Sequence, residues 1–155
     1  MKKTVISALS LILALLMFAS CGKTAPAEVS IQEIYGKITS SVTMPEQTLE
    51  LAAGDLKDFY NIDAEKVSEF AAVQDACGYK DEIVIIKAAD EAAAQEIAEL
   101  LTNHIEYQKN SMKNYAPEQY KILGSSSVIT KGVYTAMFIS AEQDAMAEIF
   151  NSYFG

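Results

Sequence analysis

Apolar positions change their spacing several times along this chain, and each change predicts an element. Ile31, Ile34, Tyr35, Ile38 and Val42 fall on one helical stripe, and Ser30 and Glu33 have the spacing of a capping box at its start. Pro45 interrupts. A second helical pattern runs through Leu49, Ala52, Ala53, Leu56, Phe59 and Tyr60, and Asp63 is placed to cap a short turn holding Val67 and Phe70. The pattern then turns β-branched. AAVQDA (71–76) and EIVIIKA (82–88) flank CGYKD, a hairpin connection that carries Gly78. The second of these runs is almost continuously apolar, as expected for a central strand covered on both faces.

Asp90 is positioned to cap a long helix whose stripe carries Ile97, Leu100, Leu101, Ile105 and Met112. Pro117, at a first-turn position, opens a short helix through Leu123. SSVITK and VYTAMFIS form a second hairpin around Gly132, and Ser140 and Gln143 repeat the capping-box spacing. A last helix turns Met146, Ile149, Phe150, Tyr153 and Phe154 inward. Hairpin followed by capped helix thus occurs twice. The predicted fold class is α+β: an antiparallel sheet of about four strands built from two β-hairpin–helix units. Helices pack on one face, and additional N-terminal helices close a further edge or face.

The N-terminus follows different rules. Lys2 and Lys3 precede Val5–Ala19, where nothing is charged and only Ser7 and Ser10 are polar. A charged start, an apolar core and small residues before a break are the parts of a secretory signal, and the run is short for a membrane span. Phe18-Ala19-Ser20-Cys21 resembles the lipobox of bacterial lipoproteins. That resemblance implies a signal peptide over residues 1–20 and a diacylglyceryl (palmitate-type) anchor on Cys21, which becomes the mature N-terminus. Two acyl chains hold a protein on a membrane where one is marginal. Residues 21–29 then read as lipidated cysteine and tether; Gly22 to Val29 spans at most about 26–29 Å. Residues 30–155 are expected to form one domain on the outer face of the cytoplasmic membrane, too small for a two-lobed solute receptor.

Charge narrows the partners. The chain has 21 acidic residues against 12 lysines and no arginine, a net −9, which becomes −11 when the leader's two lysines leave. Nucleic acid is excluded as a partner, because its recognition needs a basic face. With Cys21 lipidated, Cys77 has no partner for an intramolecular disulfide, and a small buried core residue is the expected role. Stability must come from packing.

Four pieces in order resemble a known family: Tyr60-Asn-Ile-Asp63, Asp81-Glu82-Ile83-Val84-Ile85-Ile86-Lys87, Tyr115-Ala-Pro117-Glu118, and Gly132-Val-Tyr134 with Ile139-Ser140. The chain is similar over roughly residues 48 to 152 to lipoproteins of Gram-positive, clostridia-type bacteria that share a domain of unknown function. The resemblance implies the address and the fold, and transfers no site residue.

Candidate chemistry is sparse. His104, the only histidine, lies on the inward stripe of the long helix and reads as a packed imidazole. Glu99 and Glu106 do not share its face. Cys77 and His104 would form a nucleophile–base pair only if the fold joined them. Asn61, Asp63 and Glu65 alternate as in a calcium loop, but Lys66 and Ala72 stand where that loop needs Gly and Glu. No metal set and no cofactor motif follows. Asp81 and Glu82 are a candidate acidic pair, but neighbours in a strand point to opposite faces, and charged gatekeepers of an aggregation-prone strand explain them better. Ser125–Ser127 have no nearby base and read as a loop. Tyr115 and Tyr120 are the candidate interaction surface, since aromatic rings give large contact area with a polar tip. The sequence favours a non-catalytic binding or interaction module for a protein or small-molecule ligand. A hydrolase using carboxylates and a purely structural envelope module are the alternatives.

Overall fold

A computed structural model of the chain describes residues 28–76 and 81–155. The signal segment, Cys21, most of the tether, and Cys77 and Gly78 of the first hairpin connection lie outside the described residues.

Helix α1 (Ile31–Ser41) is followed by strand β1 (Thr48–Glu50), helix α2 (Ala53–Tyr60), a 3-10 turn (Ala64–Lys66) and strands β2 (Val67–Asp75) and β3 (Glu82–Ala88). Helices α3 (Glu91–Met112) and α4 (Pro117–Ser125), strands β4 (Val128–Lys131) and β5 (Tyr134–Ile139), and helix α5 (Gln143–Ser152) complete the described order. The class is α+β. One sheet holds five strands in the order β1-β2-β3-β5-β4, with every neighbouring pair antiparallel.

Both predicted hairpins form, and they meet in the middle. Strand β3 pairs with β2 through Ile86 opposite Phe70 and with β5 through Ile85 opposite Ala136. The β4–β5 connection is two residues long and places Gly132 at φ +58°, the conformation a tight hairpin asks of its first central residue. The fifth strand, β1, extends the sheet by pairing Leu49 with Gln74. It stands where a helix starting at Leu49 was expected; helix α2 begins only at Ala53, where the Asp55 carboxylate accepts from the Ala52 amide at 2.7 Å. Val67 and Phe70 likewise belong to β2 rather than to the turn before it.

Helices cover both faces of the sheet: α1 closes the second face, as allowed for the N-terminal helices, and α5 joins it there rather than packing beside α3. Alternation along β3 explains why: Val84, Ile86 and Ala88 join a core with Leu56, Ile97, Leu101 and Ile105, whereas Ile83 and Ile85 join a second core with Ile31, Ile34, Ile38 and Phe150. Helices α2, α3 and α4 thus sit on one side, and α1 and α5 on the other. A strand with four consecutive apolar residues, Ile83 to Ile86, requires both layers, because either layer alone would leave half of them in water.

Capping is partly non-local. Asp90 accepts from the Ala93 amide at 2.8 Å as expected. Ser30 makes no capping bond; the Ile31 amide instead donates to Glu69 of β2 at 3.1 Å, which fixes α1 to the sheet. Ser140 accepts from the Glu142 amide, and Gln143 turns away to Ser125 and Ser126.

Truncation of the wholly buried Phe150 to alanine should cost about 3–5 kcal/mol, because it empties the second core beside Phe138 and Phe154. Urea unfolding checks this. Tyr115→Ala, at an 87% exposed position, should stay within about 0.5 kcal/mol.

Candidate functional site

Glu82 opens β3 on the face covered by α2 and α3, and it is only 3% exposed. A carboxylate there needs donors. Tyr60, the last residue of α2, donates its hydroxyl to Glu82 Oε2 at 3.1 Å, and His104 Nε2 of α3 lies 2.9 Å from the same oxygen. Gln108, one helical turn beyond His104, donates Nε2 to Glu82 Oε1. Gln74, directly opposite Glu82 on β2, donates to the Tyr60 hydroxyl at 3.1 Å. The Tyr60 and His104 rings meet edge to face at 4.7 Å. Four side chains from three other elements gather around one carboxylate, three of them bonding it directly and Gln74 through Tyr60.

This array lies at the base of a cavity of about 670 Å³. Helix α3 contributes His104, Tyr107, Gln108, Ser111 and Met112, one face of two successive turns. Asp58 and Phe59 of α2, Leu49 of β1 and the β2–β3 end of the sheet complete the described lining. The volume falls within the range of small-molecule sites. Leu49, Phe59 and Tyr107 leave large apolar surface exposed at its rim.

Gln108 is 8% exposed, yet its Oε1 has no hydrogen-bond partner. Its Nε2 is engaged with Glu82 and lies 2.7 Å from His104 Nε2. The array is therefore rich in satisfied contacts around Glu82 and one donor short at Gln108.

Electrostatics protect the tyrosine. Burial, and then the negative charge of Glu82, raise the Tyr60 phenol well above the ordinary tyrosine range. Tyr60 is a fixed donor rather than an acid at neutral pH.

Asp81 and Glu82 do line one cavity. Because β3 begins at Glu82, strand alternation does not send Asp81 to the far face. Glu82 is not a solvated gatekeeper; it is buried and paired. His104 is a partly buried imidazole on the inward face, as expected, but its carboxylate partner comes from the sheet. Tyr115 and Tyr120 do not line the cavity: Tyr115 stands in solvent beyond the end of α3, and Tyr120 is half-buried on α4. Cys77 lies outside the described residues. Asp63 pairs with Lys57 at 2.8 Å and lies 3.9 Å from Lys66. Among the described residues, no group of three or more His, Cys, Asp or Glu is placed to hold a metal ion. The sequence reading missed Tyr60, Gln74 and Gln108. Gln108 had a signal, its i,i+4 spacing from His104 on a stripe otherwise apolar.

A carboxylate–imidazole pair can orient a base toward a nucleophile. The hydroxyl offered here is Ser111, which donates to the Tyr107 carbonyl at 3.0 Å.

A helix–sheet–helix α+β domain with a polar-floored cavity at one sheet end is the class of protein these features define. A family model described as a domain of unknown function (DUF4358) matches residues 41–140, more than half of the chain, and the protein belongs to that family. No curated protein and no solved structure matches it.

Tyr60→Phe should cost about 1–2 kcal/mol at neutral pH, since it removes a donor to Glu82 and the acceptor of Gln74. In the wild type, the folded state holds the Tyr60 proton more tightly than the unfolded chain does. That stabilisation is complete below about pH 10 and is lost as the pH rises beyond it. Unfolding measured across pH 8–11.5 should show a shallower alkaline decline for Tyr60→Phe than for the wild type.

Proposed function

We propose that the protein is a membrane-anchored extracytoplasmic lipoprotein whose α+β domain is a non-catalytic binding module, taking a small ligand into the cavity above Glu82. One observation carries the binding reading: a cavity of small-molecule size is floored by a buried, interconnected polar array that still lacks one donor. Apolar walls supply contact area, and a few placed polar groups fix orientation, which is how ligand pockets are usually built. The hydrolase alternative draws on the Glu82–His104 pair, but the Ser111 hydroxyl is turned to a backbone carbonyl.

The anchor reading rests on the charged start, the apolar run and Cys21. No helix among the described residues is long and apolar enough to cross a membrane. The chain enters the domain at Glu28, which pairs with Lys87, and at Val29, whose amide donates to the Tyr134 hydroxyl at 3.1 Å. Lys87 stands at the opposite end of β3 from Glu82, about 16 Å along the strand. A lipid on Cys21 would therefore attach, through the tether, at the end of β3 away from the cavity.

Metabolic labelling with a fatty acid should mark the wild-type protein in its native host and place it in the membrane fraction. Cys21→Ser should lose both the label and the membrane association; a labelled, membrane-bound Cys21→Ser would refute the anchor. For the binding reading, a thermal-shift series on the folded domain with metals, amino acids, nucleotides, sugars and cell-wall fragments should raise the midpoint by several degrees with one chemical class. Saturation to 100 times the dissociation constant adds about 2.7 kcal/mol. A flat series would refute small-ligand binding and direct attention to a protein partner, with exposed Tyr115 and half-buried Tyr120 as the first surface to cross-link.

A further inference from the structure

We infer that the cavity selects an organic amine: a ligand whose protonated nitrogen meets the Gln108 Oε1 and Glu82 end of the array while its apolar body rests on Phe59 and Tyr107. This rests on the small-ligand reading above and adds the charge and shape of what binds.

The buried acceptor comes first. Gln108 is held by the donation of its Nε2 to Glu82, and its buried Oε1 has no hydrogen-bond donor. An amide oxygen so placed is completed by a group that donates. An ammonium is donor-only and carries three N–H bonds, so it can serve an amide oxygen and a carboxylate together. A carboxylate or phosphate ligand would bring more acceptors to a place already short of a donor.

Charge points the same way. The described lining holds Asp58, Asp75, Asp81 and Glu82, and His104 is the only described lining side chain able to carry positive charge. Asp75 and Asp81 have interactions of their own, and Glu82 is already bonded by Tyr60, His104 and Gln108; exposed Asp58 is the carboxylate assigned to direct contact with the ligand, with the buried charge of Glu82 behind it. Among the described residues no lysine forms an ion pair with either: those of Lys57, Lys66, Lys87 and Lys109 run to Asp63, Glu96, Glu28 and Glu106. The chain has no arginine. An anion entering this cavity would meet repulsion in a partly water-excluded site, where charge counts for more than in bulk water.

The rim supplies the third element. Phe59 is 46% and Tyr107 74% exposed, and both line the cavity. Exposed aromatic faces beside carboxylates favour a cation with an apolar body, because the ring face is electron-rich and attracts positive charge.

Three probes of nearly equal size separate charge from shape: 2-phenylethylamine, 2-phenylethanol and 3-phenylpropionate. Binding is followed in the folded protein by the imidazole NMR signals of His104, which are unambiguous because the chain has one histidine. The amine should shift these signals and bind at least about tenfold more tightly than the alcohol, with the acid weakest. Asp58→Asn, at an exposed position, should weaken amine binding about fivefold and leave alcohol binding unchanged. If the alcohol or the acid binds as tightly as the amine and moves the same signals, amine selectivity is wrong and the small-ligand reading stands. If none of the three moves them, the amine inference fails, and the small-ligand reading is decided separately by the broad thermal-shift series.

Discussion

The structure depends on one strand that must be buried on both faces while beginning with a carboxylate. Ile83, Val84, Ile85 and Ile86 of β3 are all almost fully excluded from water. Their alternation commits the chain to a helical layer on each side of the sheet, and the central place of β3 between β2 and β5 follows from the same demand. Glu82, next to them and equally enclosed, cannot be left without donors. The fold therefore brings Tyr60, His104 and Gln108 to it from two helices packed on one face.

Satisfying that carboxylate shapes the cavity. The residues that close around Glu82 use the C-terminal end of α2 and a middle turn of α3, so the adjoining turns of both helices spread their side chains along the cavity wall. The same arrangement raises the Tyr60 phenol and keeps it a donor. Gln108 is caught between two roles, since the amide group that serves Glu82 leaves its own oxygen without a donor. Buried polar networks are costly when incomplete, and this one borders an open cavity.

Much of the fold was legible because it follows from local pattern. The continuous apolar run of β3, the Asp90 cap, Pro117 at a helix start and Gly132 in a tight turn each specify their element within a few residues. What was missed is what the chain assembles at long range. Strand β1 has no buried position, so its three residues carry no periodic signal and exist as a strand only because β2 offers an edge. The α1 cap comes from Glu69, 38 residues away, and no spacing rule reveals it. The last helix, α5, was expected on the same face as α3 and packs on the other, where the apolar Tyr134, Ala136 and Phe138 of β5 also face the second layer. For the site, Glu82 and His104 were visible as residues and weighed separately. Their union needed the packing of α3 against the face of β3 that Glu82 opens.

The central claim is that the Glu82 array is a single hydrogen-bonded unit bordering the cavity. The most direct test is the ¹H–¹⁵N imidazole spectrum of the sole histidine in the wild type, Glu82→Gln and Tyr60→Phe. The account predicts that the His104 ring nitrogens shift in both variants, strongly when its bonded carboxylate becomes an amide and less when Tyr60 loses its hydroxyl. Superimposable His104 signals in all three folded proteins would contradict it, because the imidazole would then be an isolated packed ring.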